Sequence, residues 1–340
     1  MLELWIENFG PIEELRLEID VPLVILTGET GTGKSLLLRV FSLLLKNLPY
    51  PLDNKALESD FINEFGHPLH LIARGAEEAK IVLSYNGEAL ADIELYRHKG
   101  RSAGFLSARR WKGGTQPYLD LAARSIIVPD ERINFTRRMF SKDDHLLNVL
   151  PSEKAYCTLL MELCKENSPW LEEILAPMFE EDMLPNVRSY CDRGLIAGYE
   201  IRNLSSAALS LLSLAPILAR LDEGRALLVA VDTVELHLTP LLQAVVSVNL
   251  ARWAKRSWLE CEEYPPPLLL VTHSSIVLAA LQADTEEGVK DKLVRLEEKY
   301  RPNIEDIKTV VLYRERGVSR HEETKGVALP TYLREYSRFI

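Results

Sequence analysis

Gly28, Gly33, Lys34 and Ser35 fall in the spacing Gly28-x-x-x-x-Gly33-Lys34-Ser35, a combination suited to holding a chain of phosphates. The glycines let the backbone wrap so that successive N–H groups along Gly28, Glu29, Thr30, Gly31, Thr32 and Gly33 point at a β-phosphate. The start of the following helix adds partial positive charge, Lys34 reaches the β and γ oxygens, and the Ser35 hydroxyl suits Mg²⁺. Two later segments have the chemistry to complete such a site. Val229-Ala-Val-Asp232-Thr233 is an apolar run ending in a carboxylate, which can hold the water ligands of the metal. Val271-Thr-His273-Ser-Ser275 puts an imidazole at the tip of a second such run, where it can donate a hydrogen bond to a γ-phosphate. Taken alone, an apolar run ending in Asp is common and a lone His is more often structural. Downstream of a phosphate loop, the functional reading of both is favoured.

Positioning these groups requires buried strands that end together. Val21 to Leu26 is nearly continuous apolar sequence, the mark of a strand covered on both faces, and a helix is expected from Lys34 to about Leu48, before Pro51. Ahead of it, Leu2 to Phe9 and Glu14 to Ile19 alternate apolar and polar residues around Gly10-Pro11, predicting a hairpin. Short alternating segments at Lys80 to Tyr85, Ala91 to Arg97, Gly104 to Ala108 and Ser125 to Val128 predict a flanking antiparallel sub-sheet. Leu146, Leu147, Leu150, Leu159, Leu160, Leu163, Leu171, Ile174 and Leu175 recur at helical spacing, so residues 143–184 are expected to form a helical lid. A hairpin of Val187 to Cys191 with Leu195 to Arg202 should lead into one long apolar helix reaching about Leu221. Buried strands at Ala226 to Val231 and Leu268 to Val271, a helix between them, and a strand at Lys308 to Tyr313 complete the prediction. The expected domains are 1–142, the insert 143–184, and 185–340.

The chain has 340 residues, 47% hydrophobic and 26% charged, which excludes disordered and low-complexity classes. No apolar run approaches the ~18 residues a membrane helix needs, and early acidic residues argue against a signal peptide. The four cysteines show no C-x-x-C pair, so a reducing, cytoplasmic setting without structural zinc is expected. A net charge of −10 argues against a surface that coats nucleic acid throughout. Two local basic clusters remain: Arg97, His98, Lys99, Arg101, Arg109, Arg110 and Lys112, then Arg132, Arg137, Arg138 and Lys142. Solvated faces are their plainer explanation.

With these residues in view, the chain resembles the ABC-type ATPases of the SMC, RecF, RecN and OLD group. Ile6-Glu-Asn-Phe-Gly-Pro-Ile12 is similar to that group's opening strand and turn, and Gly28 to Ser35 to the RecN form of the phosphate loop. Val128-Pro-Asp-Glu-Arg132 resembles a strand-end motif of stand-alone OLD-like members. Leu204-Ser-Ser-Ala-Ala208 resembles the ABC signature, Val231 to Pro240 the acidic Walker B segment, and Val271 to Ser275 the switch-histidine motif. The resemblance implies an α/β P-loop NTPase: an ABC-ATPase head with a flanking antiparallel β-subdomain and a helical insert, but no long coiled coil. It further implies ATP and Mg²⁺ as cofactors and an ATP-dependent homodimer. One protomer would give Gly28 to Ser35, Asp232 and His273, while Ser205 and Ser206 of the other would reach the nucleotide in trans.

Two positions depart from that pattern. Thr233 stands where a water-orienting Glu is usual and cannot accept a proton at neutral pH; Glu235, two residues on, is the stand-in if the strand end bulges, and it also fits the acidic residue that the OLD-like pattern already has at that place. Ala207 replaces the signature glycine, which would let backbone approach phosphate closely. Slow hydrolysis is expected, since losing a water-positioning group typically removes ~10²–10⁴-fold in rate. The leading expectation is an ATPase whose dimerisation serves a DNA-linked process, repair or defence, with DNA as a partner. The alternative is a hydrolysis-impaired, nucleotide-gated switch or scaffold that regulates a partner protein such as a nuclease or toxin. An ABC transporter subunit fits less well, because Asn8-Phe-Gly10 and His237-Leu-x-Pro240 point elsewhere. No membrane partner is expected.

Overall fold

The computed structural model describes residues 1–130 and 205–328, except 68–69, 74, 98–103, 113–117, 262, 290–293, 295 and 316, together with the positions 159, 162–163, 195–196 and 199–200. The alternating opening forms its hairpin. β1 (Leu2–Phe9) pairs antiparallel with β2 (Ile12–Ile19), and the turn places Gly10 at φ +59°. β3 (Leu23–Gly28) follows, with Leu23, Val24, Ile25 and Leu26 all at 0% exposure, and runs through the phosphate loop into α1 (Lys34–Asn47). α2 (Asn54–Phe65), β4 (Glu78–Tyr85), β5 (Glu88–Arg97), β6 (Gly104–Trp111), α3 (Tyr118–Arg124) and β7 (Ile126–Val128) complete the first lobe. After β8 (Leu195–Ile196) and β9 (Tyr199–Glu200) come α4 (Ser206–Leu212), α5 (Ala215–Glu223), β10 (Val229–Val231), α6 (Pro240–Glu260), β11 (Leu268–Val271) and α7 (Ser275–Glu286). β12 (Ile307–Glu315) and β13 (Val318–Lys325) close the described chain.

Eleven of these strands make one sheet in the order β6-β5-β4-β1-β2-β13-β12-β3-β11-β10-β7. β12, β3, β11, β10 and β7 are parallel neighbours, as buried apolar runs joined by helical crossovers should be. β4, β5 and β6 add the expected antiparallel segments onto β1, so they continue the same sheet. Side chains on β3 alternate between two cores, Leu23 and Ile25 on one face, Val24 and Leu26 on the other. α4 to α7 cover the first face, while α1, α2 and α3 cover the second with the inward residues of β1, β2, β4 and β5. Each fully buried aliphatic side chain here contributes on the order of 1.5–3 kcal/mol.

Several expectations are corrected. The Ser125 to Val128 segment is not antiparallel: β7 lies parallel to β10, because the chain reaches it through α3 on one face of the sheet. The long helix expected up to Leu221 divides into α4 and α5, since Pro216, in the first turn of α5, has no N–H to continue an earlier ladder. Leu195–Ile196 pairs antiparallel with Tyr199–Glu200, so these residues are not one continuous strand; Val187 to Cys191 lies outside the described residues. α2 and β13 are elements that the expectations above do not include. Most of the 143–184 insert lies outside the described residues, but Leu159 and Leu163 are buried in the first core, where these two residues pack. Among the described residues no helix is long and apolar enough to cross a membrane.

Candidate functional site

Parallel pairing puts the C-terminal ends of β3, β11 and β10 side by side, and each end carries one part of the site. At β3 the loop holds Gly28, Gly31 and Gly33 at φ +124°, +77° and +101°, a left-handed path open to glycine. Gly28 has a second reason to be glycine: a Cβ there would lie 1.9 Å from the Leu312 carbonyl oxygen of β12. The Lys34 ammonium, 4% exposed as a residue, donates to the carbonyl oxygens of Gly28 at 3.0 Å and Glu29 at 2.5 Å and to Thr32 Oγ1 at 3.3 Å. Burial lowers its pKa to about 8, although the Asp232 and Glu29 carboxylates pull it upward. A buried cation whose bonded partners are neutral oxygens is fitted to receive an anion. Thr30, Gly31 and Ser35 are exposed around it, with Ser35 in the first turn of α1.

β12 backs the loop with groups that carry no local motif. Glu29 N donates to Leu312 O at 2.9 Å, Arg314 N to Glu29 Oε2 at 3.1 Å, and Arg314 Nη2 to Gly31 O at 2.9 Å. Arg314 is the loop contact that sequence reasoning missed.

At β10, Asp232 is 4% exposed and its N–H donates to Val128 O at 2.8 Å, which fixes the carboxylate at the strand end near Lys34. Thr233 takes φ +52°, uncommon for a β-branched residue, and donates its hydroxyl to Asp232 Oδ1 at 3.2 Å. That conformation swings the chain over β11. Val234 N donates to Val271 O at 3.3 Å, and Glu235 accepts from Thr272 Oγ1 at 2.8 Å and from His273 N at 2.7 Å. His273 is exposed at the mouth of the site. Burial of the ring and the Lys34 charge lower its pKa, while Glu235 and a hydrogen bond with the Gly28 backbone act upward.

The structure therefore brings Gly28, Lys34, Asp232, Glu235 and His273 together, with Thr233 beside them. Ser205 sits elsewhere in the fold, as the cap of α4, its Oγ accepting from Ala208 N at 3.1 Å, and Ser206 begins that helix. Ala207 packs against the first core. α4 touches the acidic turn through Ser210 Oγ, which donates to Leu236 O at 2.6 Å. Of the basic clusters, Lys112 pairs with Glu88, and the other side chains lie outside the described ones.

Residues 3–150 match a family model described as an AAA domain. The DNA repair protein RecN of Bacillus subtilis (strain 168) is 40% identical over 75 residues, which cover 20% of this chain and 13% of that one. RecN of Halalkalibacterium halodurans is 36% identical over 93 residues, 24% of this chain and 16% of that one. The matched segment is thus a small part of either RecN. In three dimensions, the SMC head solved bound to the C-winged helix domain of ScpA aligns with a TM-score of 0.53 at 14% identity, covering 98% of both chains.

Proposed function

We propose, from the premise that this chain is an SMC/RecF/RecN-like ABC-type ATPase head, that it binds Mg-ATP in the Lys34–Asp232–His273 cleft and pairs with a second copy around it in a DNA-linked process in the cytoplasm. The observation that carries this reading is the buried Lys34 ammonium, bonded to neutral oxygens and set beside the Asp232 carboxylate. Ser35 and Asp232 would hold Mg²⁺, which when bound supplies neutralisation of phosphate charge. Lys34 would grip the β and γ oxygens, the N–H groups of Gly28 to Gly33 would cradle the β-phosphate, and His273 would donate to the γ-phosphate. Ser205 and Ser206, exposed or half-buried at the start of α4, suit contact with the nucleotide of the opposing copy.

Equilibrium binding of a fluorescent ATP analogue, with light scattering in Mg-ATP, tests this. The wild-type chain should bind and double in mass, whereas Lys34→Ala should do neither. A chain that binds no nucleotide would refute the site, and one that binds yet stays single would refute the sandwich. Salt-dependent DNA affinity that drops when Arg109, Arg110 and Lys112 become Glu would support the DNA link; no binding at low salt would sink it.

Thr233 favours a second reading. With a hydroxyl where a carboxylate base is usual, the chain would gate a partner such as a nuclease or toxin by nucleotide occupancy rather than turnover. Retained binding with no phosphate release separates this from the first reading.

A further inference from the structure

We infer that Glu235 is a positioning residue, which straps the His273 loop to the acidic turn and so sets the imidazole over the phosphate site, rather than the base that activates water. The inference rests on the nucleotide-site reading above and says how that site is kept in shape.

β10 and β11 are parallel neighbours, so the loops leaving their ends rise side by side. The ladder ends at Val231 opposite Leu270, and one backbone bond, Val234 N to Val271 O at 3.3 Å, ties the turn to the end of β11 without reaching the residues beyond it. Glu235 extends the tie to Thr272 and His273 with both carboxylate oxygens: Oε2 accepts the Thr272 hydroxyl at 2.8 Å and Oε1 the His273 N–H at 2.7 Å. Hydrogen bonds to an ionised acceptor are the stronger kind. The strap is doubled on its far side. Thr272 Oγ1 accepts from Ser274 N at 3.0 Å, Ser274 Oγ donates to Gln243 Oε1 at 2.6 Å, and Gln243 Nε2 donates to Leu238 O at 2.9 Å, returning to the same turn. The loop bearing His273 is tied to 235–238 on both flanks.

The backbone serves this arrangement at a cost. Thr233 is held at φ +52° and His237 at φ +59°, and the two turns between them close through Leu236 N to Thr233 O and Leu238 N to Glu235 O, both 3.0 Å. Strain at non-glycine positions persists where the surroundings over-determine it, and here it aims Glu235 at the neighbouring loop. The His273 ring, hydrogen-bonded to the Gly28 backbone, is the part of that loop that meets the phosphate loop. Glu235 thus acts through His273.

A strap and a base respond differently to Glu235→Gln. The amide keeps Oε1 as acceptor for His273 N–H, and Nε2 can donate to Thr272 Oγ1 once that hydroxyl rotates. Glu235→Ala removes both contacts. In steady-state ATP hydrolysis by the full chain, E235Q should stay within about threefold of wild type and E235A should fall about tenfold or more. Adding His273→Ala to E235A should cost little beyond either single change, as expected of residues acting as one unit. Equal losses of about 10²-fold or more in E235Q and E235A would overturn the proposal and make Glu235 the base. A readout independent of turnover is the His273 ring resonance on adding Mg-ATP. Its shift should match wild type in E235Q and be lost in E235A; an unchanged shift in E235A would equally overturn the strap. A wild-type chain that fails to bind Mg-ATP would take down the site itself, whereas wild-type binding with E235Q behaving as E235A would take down only the strap.

Discussion

Burial holds the Lys34 ammonium at a pKa of about 8 against the upward pull of Asp232 and Glu29. Because the folded value lies below that of an unfolded lysine, the charged form is the disfavoured one. The resulting destabilisation is fully present below about pH 8 and fades as the pH rises toward 10.5. On the proposed reading, a bound phosphate would reverse the balance by giving the cation a partner. Mg-ATP should therefore bind with proton uptake near pH 8 and weaken above it by up to about tenfold per pH unit. Titration calorimetry in buffers of different ionisation enthalpy reads both effects, and equal affinity at pH 7 and 9 would refute them. Gly28 makes a second residue-scale case. With Leu312 O only 1.9 Å from the point a Cβ would occupy and φ at +124°, Gly28→Ala must part β3 from β12, at about 3 kcal/mol or more in a denaturant titration. Gly87→Ala, at φ +79° with nothing within 4 Å, should cost only about 1–2 kcal/mol.

Helices α6 and α7 are joined by an ion pair that water barely reaches. Arg252 Nη2 and Nε meet Asp284 Oδ1 and Oδ2 at 2.5 and 3.2 Å, with side-chain exposures of 3% and 0%. Asp284→Ala removes the buried counter-charge, leaving the guanidinium the Leu296 carbonyl oxygen at 2.9 Å and the Glu298 carboxylate at 3.6 Å, and should lower stability by about 2–4 kcal/mol in the same titration. Lys325→Ala, which opens an exposed pair with Glu305, should leave the midpoint almost where it was. Elements with their own periodicity, such as β1, β2, β3 and α1, are readable from sequence because their burial pattern is local. α2 is absent from the expectations although its signal is local: Leu57, Phe61 and Phe65 recur every four residues between the Asp53 cap and Gly66, and the helix is held by Phe61 and Phe65 packed edge-on to Phe9 and by Arg39 bonded to the buried Glu64 at 2.7 Å. β13 reads Val-Ser-Arg-His-Glu-Glu-Thr-Lys, with no apolar alternation, and exists because β12 supplies a full antiparallel ladder. The site divides in the same way. Gly28 to Ser35, Asp232 and His273 sit in contiguous motifs, whereas Arg314 meets Glu29 across 285 residues of chain and only the β3–β12 register reveals it.

In the molecule as a whole, one strand feeds both cores. β3 sends Ile25 to one face and Val24 to the other, and its neighbours on the two sides, β12 and β11, both come from the second lobe. The lobes consequently share their centre, and the described sheet should melt as one unit. Scanning calorimetry of Val24→Ala and Ile25→Ala should show a single transition lowered in both variants, by about 2–5 kcal/mol for Ile25→Ala and somewhat less for the smaller Val24→Ala. A transition shifted in only one variant, with a second left in place, would mean that the cores unfold independently. The position of β12 also has a bearing on synthesis. A chain is made from its first residue onward and tends to fold as it emerges. Here the strand that accepts Glu29 N and steadies Gly31 arrives nearly three hundred residues after the loop it backs. Until then β3 has an open flank, and contacts of such separation are the slow ones to form. On the proposed reading, nucleotide binding would be tied to translation proceeding at least through β12, so a prematurely released chain carries the motif without its backing.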